Sequence, residues 1–144
     1  MAKSLVTDDD FSRCMLLNTV RTARTLLRRY DQKLKPLGVT VVQFSILLMI
    51  RNNRGLSING LAERIAADRS TLTRNLDLLV RDGLVVKENA PKGNAKICRL
   101  TDAGDAKLDQ LVPLWRNAQK EMQELLEGQD PEAYLATLRL LARG

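Results

Sequence analysis

Ser70, Thr71, Arg74 and Arg81 are the residues whose types and spacing suggest chemistry. On an ideal helix with Leu72 at zero, Leu76 falls at about 40°, Leu79 at about 340° and Val80 at about 80°, which makes an apolar stripe. The opposite face then holds Ser70, Arg74 and Arg81, flanked by Thr71 and Asp77, with Arg69 opening the helix. Short hydroxyls near a helix N-terminus can approach base edges or phosphates closely. An arginine one turn later can fork onto guanine O6 and N7 or onto a phosphate. The positive end of the helix favours phosphate as well. Lys92 and Lys96 follow, in or beside a Pro/Gly-marked loop between two short apolar runs. A basic loop beside a reading helix can reach a minor groove or flanking phosphates.

The elements that must position these residues are legible from caps and periodicity. Asp68 stands where an N-cap for the Arg69–Arg81 helix belongs, and Gly83 stops that helix. Ser57 caps a shorter helix carrying Leu61, Ala62 and Ile65, and Ala66 and Ala67 suit a tight turn between the two. Leu84–Lys87 and Ile97–Leu100 read as hairpin strands, with Pro91–Asn94 supplying the turn. Upstream, Thr40 and Gln43 have capping-box spacing ahead of a helix whose core side is Phe44, Leu47 and Leu48.

Both ends of the chain read as long helices. Asp8, Asp9 and Asp10 precede one whose apolar residues are Leu16, Val20, Ala23, Leu27, Tyr30 and Leu34, closed by Pro36 and Gly38. Arg21, Arg24, Arg28 and Arg29 lie off that stripe and read as a solvated face. Thr101 caps the other, in which Leu108, Leu111, Trp115, Ala118, Met122 and Leu125 make a seam suited to another helix. Pro113 is expected to interrupt and bend it. Asp130-Pro131 starts a last helix bearing Leu135, Leu138 and Leu141. The fold class is therefore mainly α with a small β element (α+β). It is a winged helix-turn-helix over 40–100, with residues 1–39 and 101–144 forming a helical dimerisation domain.

Composition agrees. The formal charge is +6 over 144 residues, and its distribution is uneven. From Arg54 to Arg99 nine basic residues face five acids, whereas from Leu100 onward eight acids face five basic residues. The middle suits phosphate and the tail does not. Aromatic residues are 3% of the chain, too few for single-strand stacking platforms. The chain has no histidine, and its two cysteines, Cys14 and Cys98, lie far apart. No metal, cofactor or catalytic residue is expected, and an enzyme is disfavoured. No signal peptide and no apolar run long enough for a bilayer are evident, so a cytoplasmic protein is expected, with no membrane partner.

LAERIAADRSTLTRNLDLLVRDGLV, followed by a hairpin ending CRLTDAG, resembles the multiple-antibiotic-resistance-regulator (MarR) family of winged-helix repressors, and the likeness runs over nearly the whole chain. It implies an obligate homodimer made by the terminal helices and a pseudo-palindromic double-stranded DNA operator. It also implies release of the DNA by a small phenolic or other aromatic effector bound between the dimer helices and the winged unit. The DNA-contacting set is then Arg69, Ser70, Thr71, Arg74, Arg81, Lys92 and Lys96. The family's wing carries an aspartate and, two residues on, a minor-groove arginine. Lys92 and Asn94 occupy those positions, and a lysine lacks the planar fork. Cys14 lies near where peroxide-sensing members place a reactive thiol, which leaves redox sensing as an alternative to a packing role. A winged module used only for protein contact is the remaining alternative.

Overall fold

The computed structural model describes residue 3, residues 5–65 and residues 67–143. Ala66, assigned from sequence to the turn with Ala67, lies outside the described residues. The helices are α1 (Asp8–Ser12), α2 (Met15–Leu34), α3 (Val41–Asn52), α4 (Ile58–Arg64), α5 (Arg69–Arg81), α6 (Asp102–Leu125) and α7 (Pro131–Leu141). A 3-10 turn, Lys35–Leu37, follows α2, and strands β1 (Val85–Asn89) and β2 (Lys96–Leu100) stand between α5 and α6.

Most boundaries follow from local chemistry. Thr40 accepts from the Gln43 N–H at 3.2 Å while the Gln43 side chain accepts from the Thr40 N–H, a complete capping box. Ser57, Asp68, Thr101 and Asp130 each cap the helix that follows. The strands pair antiparallel, Val85 with Leu100 through Asn89 with Lys96. A single bridge from Ser57 to Ile97 fastens the start of α4 to the hairpin.

Phe44, Ile46, Leu47, Leu61, Leu72, Leu76, Leu79, Val85, Leu108 and Leu111 form the buried centre. At roughly 2 kcal/mol for each large side chain removed from water, this core holds α3, α5, the hairpin and α6 together. Trp115 stacks on Phe44 with ring centroids 5.8 Å apart.

Four expectations need correction. The first helix is two helices, not one. Thr7 and Asp10 make a capping box for α1, so the three aspartates belong to α1 and not to the head of α2. The break at Arg13–Cys14 is held by Asn18, whose Nδ2 donates to the carbonyls of Ser12 at 2.7 Å and Cys14 at 2.8 Å. Val80 is 37% exposed, because it sits at the edge of the stripe that Leu72, Leu76 and Leu79 bury. Pro113 does not interrupt α6, which runs unbroken from Asp102 to Leu125. The proline is exposed and removes one backbone bond, while Leu111 and Ala118 on either side stay buried. Finally, the first part of the α6 seam is internal. Leu108, Leu111 and Ala118 are buried within the chain, whereas Leu125 is 63% exposed.

Candidate nucleic-acid interface

Asp68 sets the start of α5. Its Oδ1 accepts from the Thr71 N–H at 2.7 Å and from the Ser70 hydroxyl at 2.9 Å. The Thr71 bonds and then the Ser70 bond hold its carboxyl below the usual carboxylate range, with Arg74 adding a smaller attraction. Gln43 Nε2 donates to Asn75 Oδ1 at 3.3 Å, which ties the first turn of α3 to the middle of α5.

Arg69, Ser70, Thr73, Arg74, Asp77 and Arg81 line one open groove along the outer face of α5. Arg74 is exposed and makes no ion pair or hydrogen bond among the described residues. Its guanidinium is therefore available without breaking anything. Arg69 donates to Asn59 of α4, and Arg81 lies 3.3 Å from Asp82. Thr71 is half-buried and turned toward its cap, so its placement suits positioning of the helix start more than contact. Thr73 and Asn59 were missed by the sequence reading. Thr73 lies about 100° from Leu72, outside the face counted as opposite, yet it is exposed in the groove. Asn59 gives no local signal, since its place beside Arg69 is set by the α4–α5 turn.

The wing stands next to this helix. Lys87 of β1 pairs with Asp77 of α5 at 2.7 Å, which gives Asp77 a structural partner. Arg99 pairs with Glu88 across the hairpin at 2.7 Å and lowers the Glu88 carboxyl pKa. The loop closes through the Ala90 N–H donating to the Ala95 carbonyl at 2.8 Å, with Gly93 at φ +81° making the turn. Lys92 and Asn94 are exposed at the tip. Lys96 is the first residue of β2, and its ammonium donates to Asn89.

The base of the wing is joined to α6. The Thr101 hydroxyl donates to the Gly83 carbonyl at 2.6 Å and accepts from the Gly104 N–H at 3.0 Å, and the Thr101 N–H donates to the Leu84 carbonyl at 3.1 Å. The conformation of Gly83, φ +74°, ends α5 at this junction.

Away from the wing, the terminal helices leave apolar surface uncovered. Leu5, Val6, Phe11, Met15 and Leu16 are each more than half exposed. A groove of about 420 Å³ between α2, α6 and α7 is lined by residues that include Leu26, Tyr30, Met122, Leu126, Tyr134 and Leu138. The Tyr30 hydroxyl is hydrogen-bonded to Gln119, and burial pushes its pKa up. Cys14 is the half-buried N-cap of α2 and makes no side-chain cap bond. Cys98 is buried in β2, where burial pushes its thiol up and Lys87 opposes the shift. Among the described residues no single helix is long and apolar enough to cross a membrane.

A family model described as the MarR family matches residues 37–93. The transcriptional regulator MosR of M. tuberculosis is 39% identical, the match covering 90% of this chain and 94% of that one with a TM-score of 0.80. Its complex with DNA matches at 38% identity, 89% and 93% coverage and TM-score 0.78. The transcriptional repressor CouR bound to a 23-mer DNA duplex is 26% identical over 97% of this chain and 100% of that one, with a TM-score of 0.85. CouR bound to p-coumaroyl-CoA matches at 26% identity, 97% and 99% coverage and TM-score 0.84. An uncharacterized HTH-type transcriptional regulator of Bacillus cereus is 27% identical over 106 residues, 74% of this chain and 71% of that relative. On these similarities the chain belongs to the MarR family of non-enzymatic, DNA-binding winged-helix transcriptional regulators.

Proposed function

We propose that this regulator is a homodimeric repressor of a pseudo-palindromic operator, released by a small aromatic effector. Residues 40–100 are the DNA-binding unit, and residues 1–39 with 101–144 are the dimerisation domain. Each subunit lays α5 in a major groove, with the two helices about one duplex turn, roughly 34 Å, apart. Arg74 reads or clamps at the centre of the face. Ser70, Arg69 and Arg81 contact base edges and phosphates around it, and Thr71 orients the helix start. Lys92 and Lys96 reach flanking phosphate or the minor groove without an arginine's planar fork.

The single observation that carries this reading is Arg74, exposed and unengaged in the centre of a hydroxyl-bearing groove. The DNA complexes of MosR and CouR support it. The uncovered leucines of α2 and the groove at α7 support a second copy as the missing cover. CouR with p-coumaroyl-CoA supports an aromatic effector. A peroxide-sensing role for Cys14 has no comparable support.

Gel-shift titration on operator fragments selected from the source genome tests the proposal. A well-placed arginine is worth about 1–3 kcal/mol per half-site, so Arg74→Ala across two half-sites weakens binding by about thirty-fold or more. Wild-type affinity in a folded Arg74→Ala protein refutes α5 as the reader.

A further inference from the structure

The arginine run of α2 forms a surface that the reading face does not use. Arg21, Arg24, Arg28 and Gln32 fall within an arc of about 80° on α2. Lys35 continues the line into the 3-10 turn. All five side chains are exposed. Among the described residues none of the four cations has an ion-pair partner, whereas Lys33, off this arc, pairs with Glu121. Asp31 is the only acid of α2, and its Oδ1 is taken by the Val41 N–H at 2.7 Å. Like charges three and four residues apart repel on a helix. Asp31 borders the stripe about 20° beyond the arc and lines a groove at its Lys35 end; the stripe still carries four cations to that one acid, and a polyanion relieves the remaining repulsion.

Position decides which polyanion. Arg28, Asp31, Gln32 and Lys35 share a groove of about 470 Å³ with Thr40, the cap of α3. The first turn of α3 is in turn bonded to Asn75 of α5. One end of the stripe is therefore connected to α5 through the first turn of α3. From Lys35 to Arg21 it extends about 21 Å, the rise of about six base pairs. We infer that the Arg21–Arg24–Arg28–Lys35 stripe is a second, sequence-independent contact surface for the DNA backbone beside the segment that α5 reads. This rests on the function proposed above.

The test compares wild type, Arg21→Gln/Arg24→Gln/Arg28→Gln and Arg74→Ala. Each is titrated against a selected operator fragment and against a labelled mixed-sequence duplex, both of about 30 base pairs, between about 50 and 200 mM salt. All three substitutions lie on exposed positions, and melting should be unchanged or slightly raised. Three lost phosphate contacts lower the slope of log affinity against log salt by about 2.7 per chain. A triple variant with the wild-type slope overturns the inference, while loss of operator binding in Arg74→Ala leaves the reading helix intact as an idea. Wild-type operator binding by Arg74→Ala overturns both. Sedimentation with phosphatidylglycerol vesicles that needs the three arginines, with no change in DNA slope, assigns the stripe to a lipid surface and also overturns it.

Discussion

Gly104→Ala is a perturbation whose sign the structure determines. Gly104 lies in the first turn of α6, where alanine is intrinsically better than glycine by about 1 kcal/mol. Helix propensity alone therefore predicts a more stable protein. A Cβ built at this position meets the Leu84 carbonyl oxygen at 2.0 Å and the Leu84 carbonyl carbon at 2.9 Å. Carbon–oxygen contacts close no nearer than about 3.3 Å, so the overlap is about 1.3 Å. The obstacle is backbone, and it cannot swing away. The same carbonyl accepts from the Thr101 N–H, and the next residue, Val85, is paired with Leu100. Forcing an extra methyl into such a site costs about 1–3 kcal/mol and more where nothing can yield. The overlap outweighs propensity, and the net loss is about 2 kcal/mol, which for a chain of this size lowers Tm by about 4–8 °C.

Circular-dichroism melting at one fixed protein concentration measures this, since association with a second copy would make Tm concentration-dependent. Ala106→Gly, two residues further along and exposed, supplies the propensity scale in the same helix. It should lose about 1 kcal/mol with no steric part. A Gly104→Ala protein that melts at or above the wild-type temperature refutes the close approach of α6 to the base of the wing.

Two further outcomes follow from the caps and from the uncovered surface. The Asp68 carboxyl has a folded pKa lowered below 3.8, so its cap stabilises α5 fully above that value and fades as pH falls through the lower folded value. Asp68→Asn keeps a capping oxygen without the titration. It should show a smaller Tm loss than wild type between about pH 5 and about pH 3, and equal losses would refute the assignment. Leu16 and Leu27 are 72% and 45% exposed in a single chain, where glutamate would cost about 0.5 kcal/mol or less. On the dimer proposed above, wild type should sediment as a dimer and Leu16→Glu/Leu27→Glu should remain folded yet sediment as a monomer; a double variant that stays dimeric removes α2 from the interface.

What was legible in the sequence was what neighbours in the chain determine. Thr40 with Gln43, Ser57, Asp68, Thr101 and Asp130 were readable as caps because the partner N–H lies two or three residues away. Leu72, Leu76 and Leu79 were readable because helical period alone aligns them. The break between α1 and α2 was not, since it depends on Asn18 reaching back six residues to Ser12. The partner of Asp77 was not legible, because Lys87 reaches it only after the chain has turned through Gly83. The α6 seam read as one surface, and only tertiary packing divides it into Leu108, Leu111 and Ala118 inside the chain and Leu125 outside. On the candidate interface, the type of each residue was legible but its freedom was not. Arg74 and Arg69 look alike in sequence, yet Arg69 is engaged by Asn59 and Arg74 is not.

The same long-range contacts bear on how a signal among the terminal helices could reach DNA. Thr101 and Gly104 bring the start of α6 against Gly83 and Leu84, the residues that end α5 and begin the wing. Farther along, Arg51 of α3 binds Asp105 at 2.7 Å and Asp109 at 2.9 Å, so α6 is also fastened to the helix that packs behind α5. Exposed ion pairs of this kind contribute little stability, but they restrict direction. An axial shift of α6 by one residue, about 1.5 Å, exceeds the slack of the bonds at Thr101. It must either break them or carry Gly83 with it, and Gly83 directly follows Asp82, the C-cap of α5. On the function proposed above, a ligand that favours one setting of α6 over another acts on the C-terminal end of α5 through the two bonds from Thr101 to Gly83 and Leu84, and its leverage is bounded by its differential affinity for the two settings.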